Sequence, residues 1–526
     1  MLFNSYIFIF AFLPITFGIY FLLAKYQDGN TAIASLVLAS LFFYGWWNPI
    51  YLLLIITSIC INYFLGNKIT HFNTTQNYTI AKIFFIIGIL FNIGLLGFFK
   101  YTNFMIENVN IAFNLDIEIK HIVLPLAISF YTFQQIAYLV DTYRGVITEF
   151  KFIHYALFVT FFPQLIAGPI VHHKEMLPQF LALENLSPKL ENVIVGFSMF
   201  ALGLFKKVVL ADGIAQYSTP VFDAAVTGDP VTFFIAWSGA LGYTLQLYFD
   251  FSGYSDMAIG IARMFGIRLP LNFNSPYKSL NIIEFWRRWH ITLSRFLRDY
   301  VYFSLGGNRK GSMRRYVNLL TTMILGGLWH GAGWTFILWG CLHGLYLIIN
   351  HVWQHIKQFA KLEFLDERPI WKIFCWLLTF ISVVNAWVLF RATTFESAIE
   401  ILKGMYGFNG IAIPNAIYTR LESISNILSN LGITSYPGGG TQFIYSYLWI
   451  LLLLAIAALM PNTQQIMRNY FIYKNKQENA IYSEGLFSSR ILKFSFTTIW
   501  ALFMATVLVI AVFGLTSVSE FLYFQF

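Results

Sequence analysis

Residues 248–343 read YFDFSGYSDMAIGIARMFGIRLPLNFNSPYKSLNIIEFWRRWHITLSRFLRDYVYFSLGGNRKGSMRRYVNLLTTMILGGLWHGAGWTFILWGCLH. Apolar segments precede and follow this stretch, whereas its middle is polar, aromatic and basic. Residues 263–315 contain eleven Lys and Arg side chains and only two acids. Two histidines stand out, His290 in WRRWH and His330 in GGLWHGAGW. We interpret the stretch as a functional site enclosed by apolar helices.

The composition of the whole chain is that of a membrane protein. Of its 526 residues, 57% are hydrophobic and only 11% are charged, whereas a soluble domain carries about a quarter charged residues. Apolar segments recur, and some, such as 89–99 and 448–460, are continuous rather than alternating. About 20 such residues cross a bilayer as a helix. We therefore predict an all-α polytopic protein with roughly 11–13 spans or re-entrant segments.

The charge balance and the cysteines point to the same class. The formal net charge is +9, which we attribute to Lys and Arg in cytoplasmic loops rather than to nucleic-acid binding. The three cysteines lie in apolar segments without zinc or redox spacing, so we interpret them as packing residues. The N-terminal apolar run predicts a retained first span. We expect one integral-membrane domain over 1–526, with a basic interfacial or re-entrant region at 258–315.

His330 is the first candidate catalytic residue. Small and rigid side chains surround it in the sequence, namely Gly326, Gly327, Trp329, Gly331, Gly333 and Trp334. Glycines let a ligand or another backbone approach closely, and a neutral imidazole can accept a proton from a hydroxyl. A structural histidine packed between helices is the alternative.

His290 is the second candidate, and the aromatic and basic side chains before it are candidate binding residues. The set comprises Trp286, Arg287, Arg288 and Trp289. Arg287, His290 and Ser294 are spaced as on one face of a helix. Guanidinium groups suit phosphate, so the cluster could hold a phosphate-bearing donor. An interfacial anchor to anionic lipid is an equal alternative.

Other common reaction motifs are absent from the sequence. Neither HExxH nor a P-loop occurs, and we predict no metal site and no bound cofactor. Asp250 and Asp256 precede the basic region, and we expect either solvated helix caps or partners of arginines. Because the chain lacks these motifs, an enzyme of this sequence would use a hydroxyl of the substrate or of a partner protein as the group that accepts the transferred group, with a histidine activating that hydroxyl.

Five motifs together resemble one family. They are LPLAISFYTFQQIAYLVDTYRG (124–145), FPQLIAGPI (162–170), YFDFSGYSDMAIGIARMFGI (248–267), NFNSPYKSLNIIEFWRRWHITLSRFLRDYVYFSLGGNR (272–309) and LWHGAGW (328–334). In this order they resemble the membrane-bound O-acyltransferases, and more narrowly the bacterial branch that O-acetylates cell-surface polysaccharides. The resemblance extends over almost the whole chain.

The resemblance implies a fold and a reaction. It implies a ring of transmembrane helices around a central tunnel in the bacterial cytoplasmic (inner) membrane. His330 matches the family's catalytic histidine, and His290 matches its second polar position. The implied donor is acetyl-CoA or an acyl carrier in the cytoplasm, and the implied partner is a periplasmic or extracellular acetyltransferase. The basic region 263–315 would then be the cytoplasmic entrance for a polyanionic donor.

Three alternatives stay open from the sequence. The first is the same chemistry with a D-alanyl group or with a lipid or protein acceptor. The second is a transporter for an acyl group without chemistry of its own. The third is a structural scaffold, against which the costly polar groups of 272–310 argue.

Overall fold

The computed structural model describes residues 1–118, 122–147, 151–470, 493–516 and 522. Apart from short 3-10 and π-helical segments and two strands, the ordered elements are α-helices. In chain order these are Leu13–Tyr26 (α1), Gly29–Gly45 (α2), Ile50–Thr74 (α3), Tyr78–Leu96 (α4), Thr102–Phe113 (α5), Ile128–Tyr143 (α6), Phe152–Thr160 (α7), Phe162–Leu165 (α8), His173–Phe180 (α9), Leu190–Phe205 (α10), Asp212–Thr227 (α11), Phe233–Met264 (α12), Ile282–Arg288 (α13), Ile291–Phe296 (α14), Gly311–His330 (α15), Trp334–Phe359 (α16), Pro369–Arg391 (α17), Phe395–Met405 (α18), Asn415–Tyr418 (α19), Ser425–Asn430 (α20), Thr441–Leu459 (α21), Thr463–Ile466 (α22) and Thr498–Phe513 (α23). The strands Ile411–Pro414 (β1) and Ile433–Tyr436 (β2) pair in parallel.

Seven helical segments in the described part of the chain are long and apolar enough to cross a membrane. They are Phe8–Tyr26, Ile50–Thr74, Tyr78–Phe113, Leu190–Thr227, Trp334–Phe359, Pro369–Arg391 and Thr441–Leu459. Helices α2 and α23 are apolar but shorter. The prediction of an all-α polytopic membrane protein is confirmed, while the ring around a tunnel and the single domain over 1–526 stay predictions.

Helix α12 forms the centre of the packing. Every residue from 242 to 264 is buried. Two glycine pairs, Gly196 with Gly260 and Gly203 with Gly253, bring α10 against it. A Cβ added at Gly253 would lie 2.7 Å from the carbonyl oxygen of Gly203, so only glycine permits this approach. Small residues of this kind allow close helix contact where the hydrophobic effect supplies little drive.

Buried ion pairs join the same helices. The Nζ atom of Lys207 lies 2.7 Å from an Asp250 oxygen, and that of Lys206 lies 2.6 Å from Asp256. The partners of both aspartates are therefore lysines of the preceding π-helical segment and not the arginines of the basic region. The sequence prediction was wrong because the nearer charges are supplied by tertiary packing. Thr463 also donates a 2.6 Å hydrogen bond to Asp256, which ties the start of α22 to α12.

Candidate active site

His330 is the last residue of α15, and two side chains from a neighbouring segment bind the carbonyl groups at this helix end. Helix C-termini leave carbonyl oxygens without partners inside the helix. The Lys100 ammonium donates to the carbonyl oxygens of Trp329 and His330, the latter at 3.0 Å. The Tyr101 hydroxyl donates to the Leu328 carbonyl oxygen at 2.8 Å. A cation is also favoured by the negative end of the helix dipole, so the backbone position of His330 is fixed from outside α15.

Aromatic rings enclose the His330 imidazole, which is only 4% exposed. The ring centroids of Trp339 and Phe390 each lie 5.1 Å from it, in edge-to-face arrangements. Of the two roles expected for the nearby glycines, approach of a ligand or of another backbone, the structure shows the second at Gly327. A Cβ on Gly327 would lie 2.2 Å from the Phe336 carbonyl oxygen, so this glycine lets α15 and α16 approach. The result is a dry, rigid surrounding for one imidazole.

His290 occupies a turn and not a continuous helix. Its backbone is left-handed, with φ +40° and ψ +55°, between α13 and α14. A non-glycine residue in this region is strained and is retained where surrounding contacts impose it. Here, backbone hydrogen bonds hold both sides of the turn, from Ile291 to the Asn272 carbonyl and from Asn274 to the Arg288 carbonyl, each 2.9 Å. The prediction that the residues around His290 share a helical face was therefore wrong.

The contacts of Asn272 set the tautomer of His290. His290 is fully buried, and its Nδ1 lies 3.1 Å from Asn272 Oδ1. The Thr292 hydroxyl donates to the same oxygen at 2.8 Å, which identifies that atom as an acceptor. Nδ1 of His290 therefore carries the proton, and in the neutral ring Nε2 is the basic nitrogen. Its hydrogen-bonding geometry leaves His290 able to accept a proton or a hydrogen bond.

The Trp329 ring bridges the two candidate histidines. Its centroid lies 6.3 Å from that of His290 and 5.0 Å from that of His330. Phe133 of α6 also stacks on the Trp329 ring, with centroids 5.1 Å apart. Two histidines that are 40 residues apart in the sequence thus face one indole, as the sequence hypothesis of a shared site requires.

The four predicted binding residues before His290 differ in burial, the two tryptophans being more buried than the two arginines. Trp286 and Trp289 are buried; Trp289 packs against Trp387 with ring centroids 4.8 Å apart. Arg288 pairs with Glu284 at 2.7 Å, whereas Arg287 is exposed. The two tryptophans therefore belong to the aromatic wall, and Arg287 is the guanidinium available to a ligand at the surface.

Trp334 lies apart from this cluster. It is 59% exposed, its indole N–H donates to Asn108 at 2.8 Å, and its ring contacts Phe104. It anchors the start of α16 against α5. Its position in the sequence beside His330 does not bring its side chain to the site, because α15 ends at His330 and the chain turns through two glycines.

The basic region is partly neutralised by acids from elsewhere in the chain. Arg295 forms a two-pronged pair with Glu175 at 2.8 and 2.9 Å, and Arg263 lies 3.7 Å from Glu191. Several basic side chains of the region are exposed, namely Arg268, Arg287, Arg298, Arg309, Lys310 and Arg314. Of these, Arg298 pairs with Asp299 at 2.7 Å. The surface of this region thus remains cationic and is suited to an anionic ligand or lipid.

A cavity of about 690 Å³ lies beside α13, between α16 and α17. Its walls are mainly apolar, with the amides of Asn281, Asn350 and Gln354 among them. Tyr346 also lines it, and the Tyr346 ring contacts that of His343, with centroids 5.8 Å apart. Tyr346 of α16 therefore lies between the cavity and the aromatic cluster.

Sequence reasoning missed three residues of the site, namely Lys100, Asn272 and His343. Lys100 is a charged residue inside an apolar span, a signal that usually marks function or a specific partner. Asn272 lies in the NFNSPYK motif, but its partner is set by the turn at His290. His343 follows Trp339 by four residues, so both lie on one face of α16.

Among the described residues, no group of three or more His, Cys, Asp or Glu is arranged to hold a metal ion. The polar groups that the cluster does contain are imidazoles, indole N–H groups and backbone carbonyls. Such a set can move a proton and hold a small acyl group away from water.

The apolar helices define a multi-pass membrane protein, and the enclosed pair of histidines is its candidate reaction site. The family model of the membrane-bound O-acyltransferases matches residues 143–388. Taken with the relatives below, this shows that the chain belongs to the membrane-bound O-acyltransferase family and is an enzyme, an O-acyltransferase. The predicted family and enzyme class are confirmed.

Three relatives illustrate the range of the family. The chain is 47% identical over 458 residues to a peptidoglycan O-acetyltransferase of Helicobacter pylori, covering 82% of this chain and 84% of that protein. It is 41% identical over 416 residues to the probable alginate O-acetylase AlgI of Pseudomonas aeruginosa, covering 78% and 75%. It is 29% identical over 282 residues to a teichoic acid D-alanyltransferase of Streptococcus thermophilus, covering 50% and 68%.

Proposed function

We propose that this enzyme takes an acetyl group from a cytoplasmic thioester, acetyl-CoA, and delivers it for O-acetylation of a cell-surface polysaccharide. The observation that carries the proposal is the pair of buried histidines that both contact the Trp329 ring, with the His330 backbone held by Lys100. The relatives named as a peptidoglycan O-acetyltransferase and a probable alginate O-acetylase support an acetyl group and a glycan acceptor.

His330 acts in this proposal as the general base. It removes the proton from the acceptor hydroxyl, whose oxygen then attacks the thioester carbonyl carbon. The acceptor hydroxyl belongs to the glycan or to a periplasmic or extracellular acetyltransferase partner. A base in a dry site needs to lie within hydrogen-bond reach of that hydroxyl, and the aromatic walls around His330 exclude competing water.

His290 orients the reactants. Because Asn272 accepts from its Nδ1, the basic Nε2 of the neutral ring is the atom that can accept a hydrogen bond from the acceptor. This tautomer suits orientation and not stabilisation of negative charge, since a neutral acceptor nitrogen cannot donate to a developing negative charge.

The donor approaches from the cytoplasmic side of the inner membrane. The exposed arginines near Arg287 attract its phosphates, as guanidinium forks do. The cavity beside α13 is within the size range of small-molecule sites, roughly 300–1,000 Å³, and its amide side chains suit the amide groups of a pantetheine arm. Trp286 and Trp289 belong to the aromatic cluster, and Trp286 contacts His343 there, with ring centroids 5.1 Å apart.

The test is the O-acetyl content of isolated envelope polysaccharides. The strains compared are wild type, a deletion, and His330→Ala and His355→Ala variants at matched membrane abundance. His355 is an exposed histidine on α16, so it controls for the substitution itself. We expect one polymer to lose its ester in the deletion and in His330→Ala but to keep it in His355→Ala.

Other outcomes would reassign the enzyme. Loss of ester in the deletion but not in His330→Ala would make the chain a conduit, not a catalyst. Loss of D-alanyl ester, or of an acyl lipid or acylated protein without change in any glycan, would replace the proposed donor group or acceptor. Co-purification of a periplasmic transferase with the tagged chain would support the partner.

A further inference from the structure

Two buried N–H donors lie next to His330 on one face of α16. Trp339 is 1% exposed and His343 is fully buried. The indole Nε1 of Trp339 and the imidazole Nε2 of His343 have no hydrogen-bond acceptor within the part of the chain that the structure describes. A buried N–H without an acceptor is destabilising, so two on adjacent rings call for a reason beyond folding.

The tautomer of His343 makes its Nε2 a donor. The indole N–H of Trp286 lies 3.3 Å from His343 Nδ1 and donates to it. An Nδ1 atom that accepts a hydrogen bond carries no proton, so Nε2 carries the proton of the neutral ring. His343 is therefore opposite in tautomer to His290, whose Nδ1 donates to Asn272. One imidazole of the cluster accepts at Nε2 and the other donates there.

Trp339 lies beside the proposed base, and His343 lies beside Trp339. The Trp339 ring centroid lies 5.1 Å from that of His330 and 4.8 Å from that of His343. The edge-to-face contacts among these rings offer an N–H group only an aromatic face, which is a weaker acceptor than an oxygen atom. A small group with one strong acceptor oxygen would satisfy both N–H groups while lying beside His330.

We propose that Trp339 Nε1–H and His343 Nε2–H bind the carbonyl oxygen of the acyl group and stabilise the negative charge that forms on it. This inference rests on the proposed function. Donors placed where charge develops, in a site that excludes water, stabilise a transition state more than a ground state. Trp286 is a positioning residue here, because its N–H fixes the His343 tautomer.

The group transfer then balances as follows. The acceptor hydroxyl gives its proton to His330, and its oxygen forms a bond to the carbonyl carbon. The C=O π electrons move to the oxygen, which Trp339 and His343 hold as an oxyanion. When the carbonyl re-forms, the C–S bond breaks, the thiolate leaves with that electron pair, and the proton on His330 passes to the sulfur. The products are an oxygen ester and a thiol.

The experiment measures two quantities on the full chain. The first is the rate at which labelled acetate enters envelope polysaccharide as O-acetyl ester, with each variant at matched membrane abundance. The second is the melting temperature of the detergent-solubilised protein. Trp339→Phe removes one N–H and keeps an aromatic ring. We expect a roughly 100-fold lower rate with an unchanged or higher melting temperature, since no hydrogen bond within the protein is lost.

Trp237→Phe is the matched control. The Trp237 indole N–H donates to the Met405 carbonyl oxygen at 2.9 Å, away from the histidines. Here the same substitution removes a hydrogen bond that the folded chain makes. We expect a lower melting temperature and a normal rate of ester formation, which is the reverse of the Trp339→Phe result.

His343 provides an independent pair of variants. His343→Gln keeps an N–H donor near the position of Nε2, whereas His343→Met fills similar volume without a donor. We expect His343→Gln to retain at least tenfold more activity than His343→Met, because only Gln can still donate to the carbonyl oxygen. A role in packing alone would give Gln no advantage over Met in a buried position.

Each outcome supports or overturns the proposal. Normal rates in both Trp339→Phe and His343→Met overturn it. A rate loss in Trp339→Phe that comes with a fall in melting temperature like that of Trp237→Phe also overturns it, because the role would be structural. His330→Ala is measured in parallel. If His330→Ala alone keeps a normal rate of ester formation, the proposed base is wrong. If His330→Ala loses activity while the Trp339 and His343 variants keep a normal rate, only the present inference is rejected.

Discussion

Lys100 offers the sharpest test of how the fold places His330. Its ammonium donates to the carbonyl oxygens of Trp329 and His330 and lies 5.9 Å from the centroid of the Trp329 ring. Lys100→Met keeps most of the apolar stem and removes the charge. The substitution leaves the last carbonyls of α15 with one fewer partner each, and the helix end is free to shift.

The expected effects on stability and activity differ in size. Two hydrogen bonds to a charged group contribute about 1.5–3 kcal/mol each, but withdrawing the ammonium from water costs several kcal/mol. These terms largely cancel, so we expect the free energy of unfolding to change by less than about 2 kcal/mol. A shift of about 1 Å in a reacting group costs roughly 100-fold in rate, and we expect a loss of that order in ester formation.

The assay compares Lys100→Met with Lys82→Met at matched membrane abundance. Lys82 is an exposed residue of α4, so the same change of side chain there should leave both rate and melting temperature unaltered. The reasoning is refuted if Lys100→Met acetylates at the wild-type rate. It is also refuted if the rate falls only in proportion to a loss of folded protein.

Three further changes test other parts of the structure. Asn272→Ala leaves the His290 Nδ1–H without its acceptor, which costs about 1–3 kcal/mol of stability, and we expect at least tenfold slower ester formation. Gly253→Ala forces a Cβ to within 2.7 Å of a backbone oxygen on α10, so the free energy of unfolding should fall by about 1–3 kcal/mol; Gly94→Ala, with open space around it, should not be destabilising. Burial lowers the pKa of His172 to about 4. The unfolded chain then binds more protons between pH 4 and the usual value near 6.5, stability falls as pH drops through that window, and His172→Gln should flatten this part of the curve.

The Asn272 result needs its own control, because losing any buried amide lowers stability. Asn92 is fully buried and hydrogen-bonds to Asn62 at 2.6 Å, between α3 and α4. Asn92→Ala should lower the melting temperature and leave ester formation per folded molecule unchanged. Equal losses of rate in both variants would contradict a specific role for Asn272.

Much of the candidate site could be proposed from the sequence because its residues carry local signals, and its catalytic role stays a prediction. His330 stands among glycines and tryptophans, and His290 ends a motif of Trp and Arg. The structure places both beside the Trp329 ring. Trp334 has the same local signal and yet lies apart, because a chain reversal after His330 turns its side chain towards α5. Proximity along the sequence could not distinguish these two cases.

The residues that sequence reasoning missed act through long-range contacts. Lys100 binds carbonyls 229 and 230 residues away, and Arg295 pairs with Glu175 at a separation of 120 residues. A window of sequence contains one member of each such pair, so neither the partner nor the remaining charge can be read from it. The same holds for His343, whose donor nitrogen is identified only by its contact with Trp286.

The sequence by itself determined that this is a membrane protein, that its fold is helical, and which family it belongs to. Those properties follow from local quantities, since about 20 apolar residues suffice to cross a bilayer and the motifs are contiguous. Only the tertiary structure decided which nitrogen of His290 and of His343 carries a proton and which charges neutralise one another. Hydrogen-bond geometry fixes these, and it depends on atoms brought within about 3 Å from distant parts of the chain.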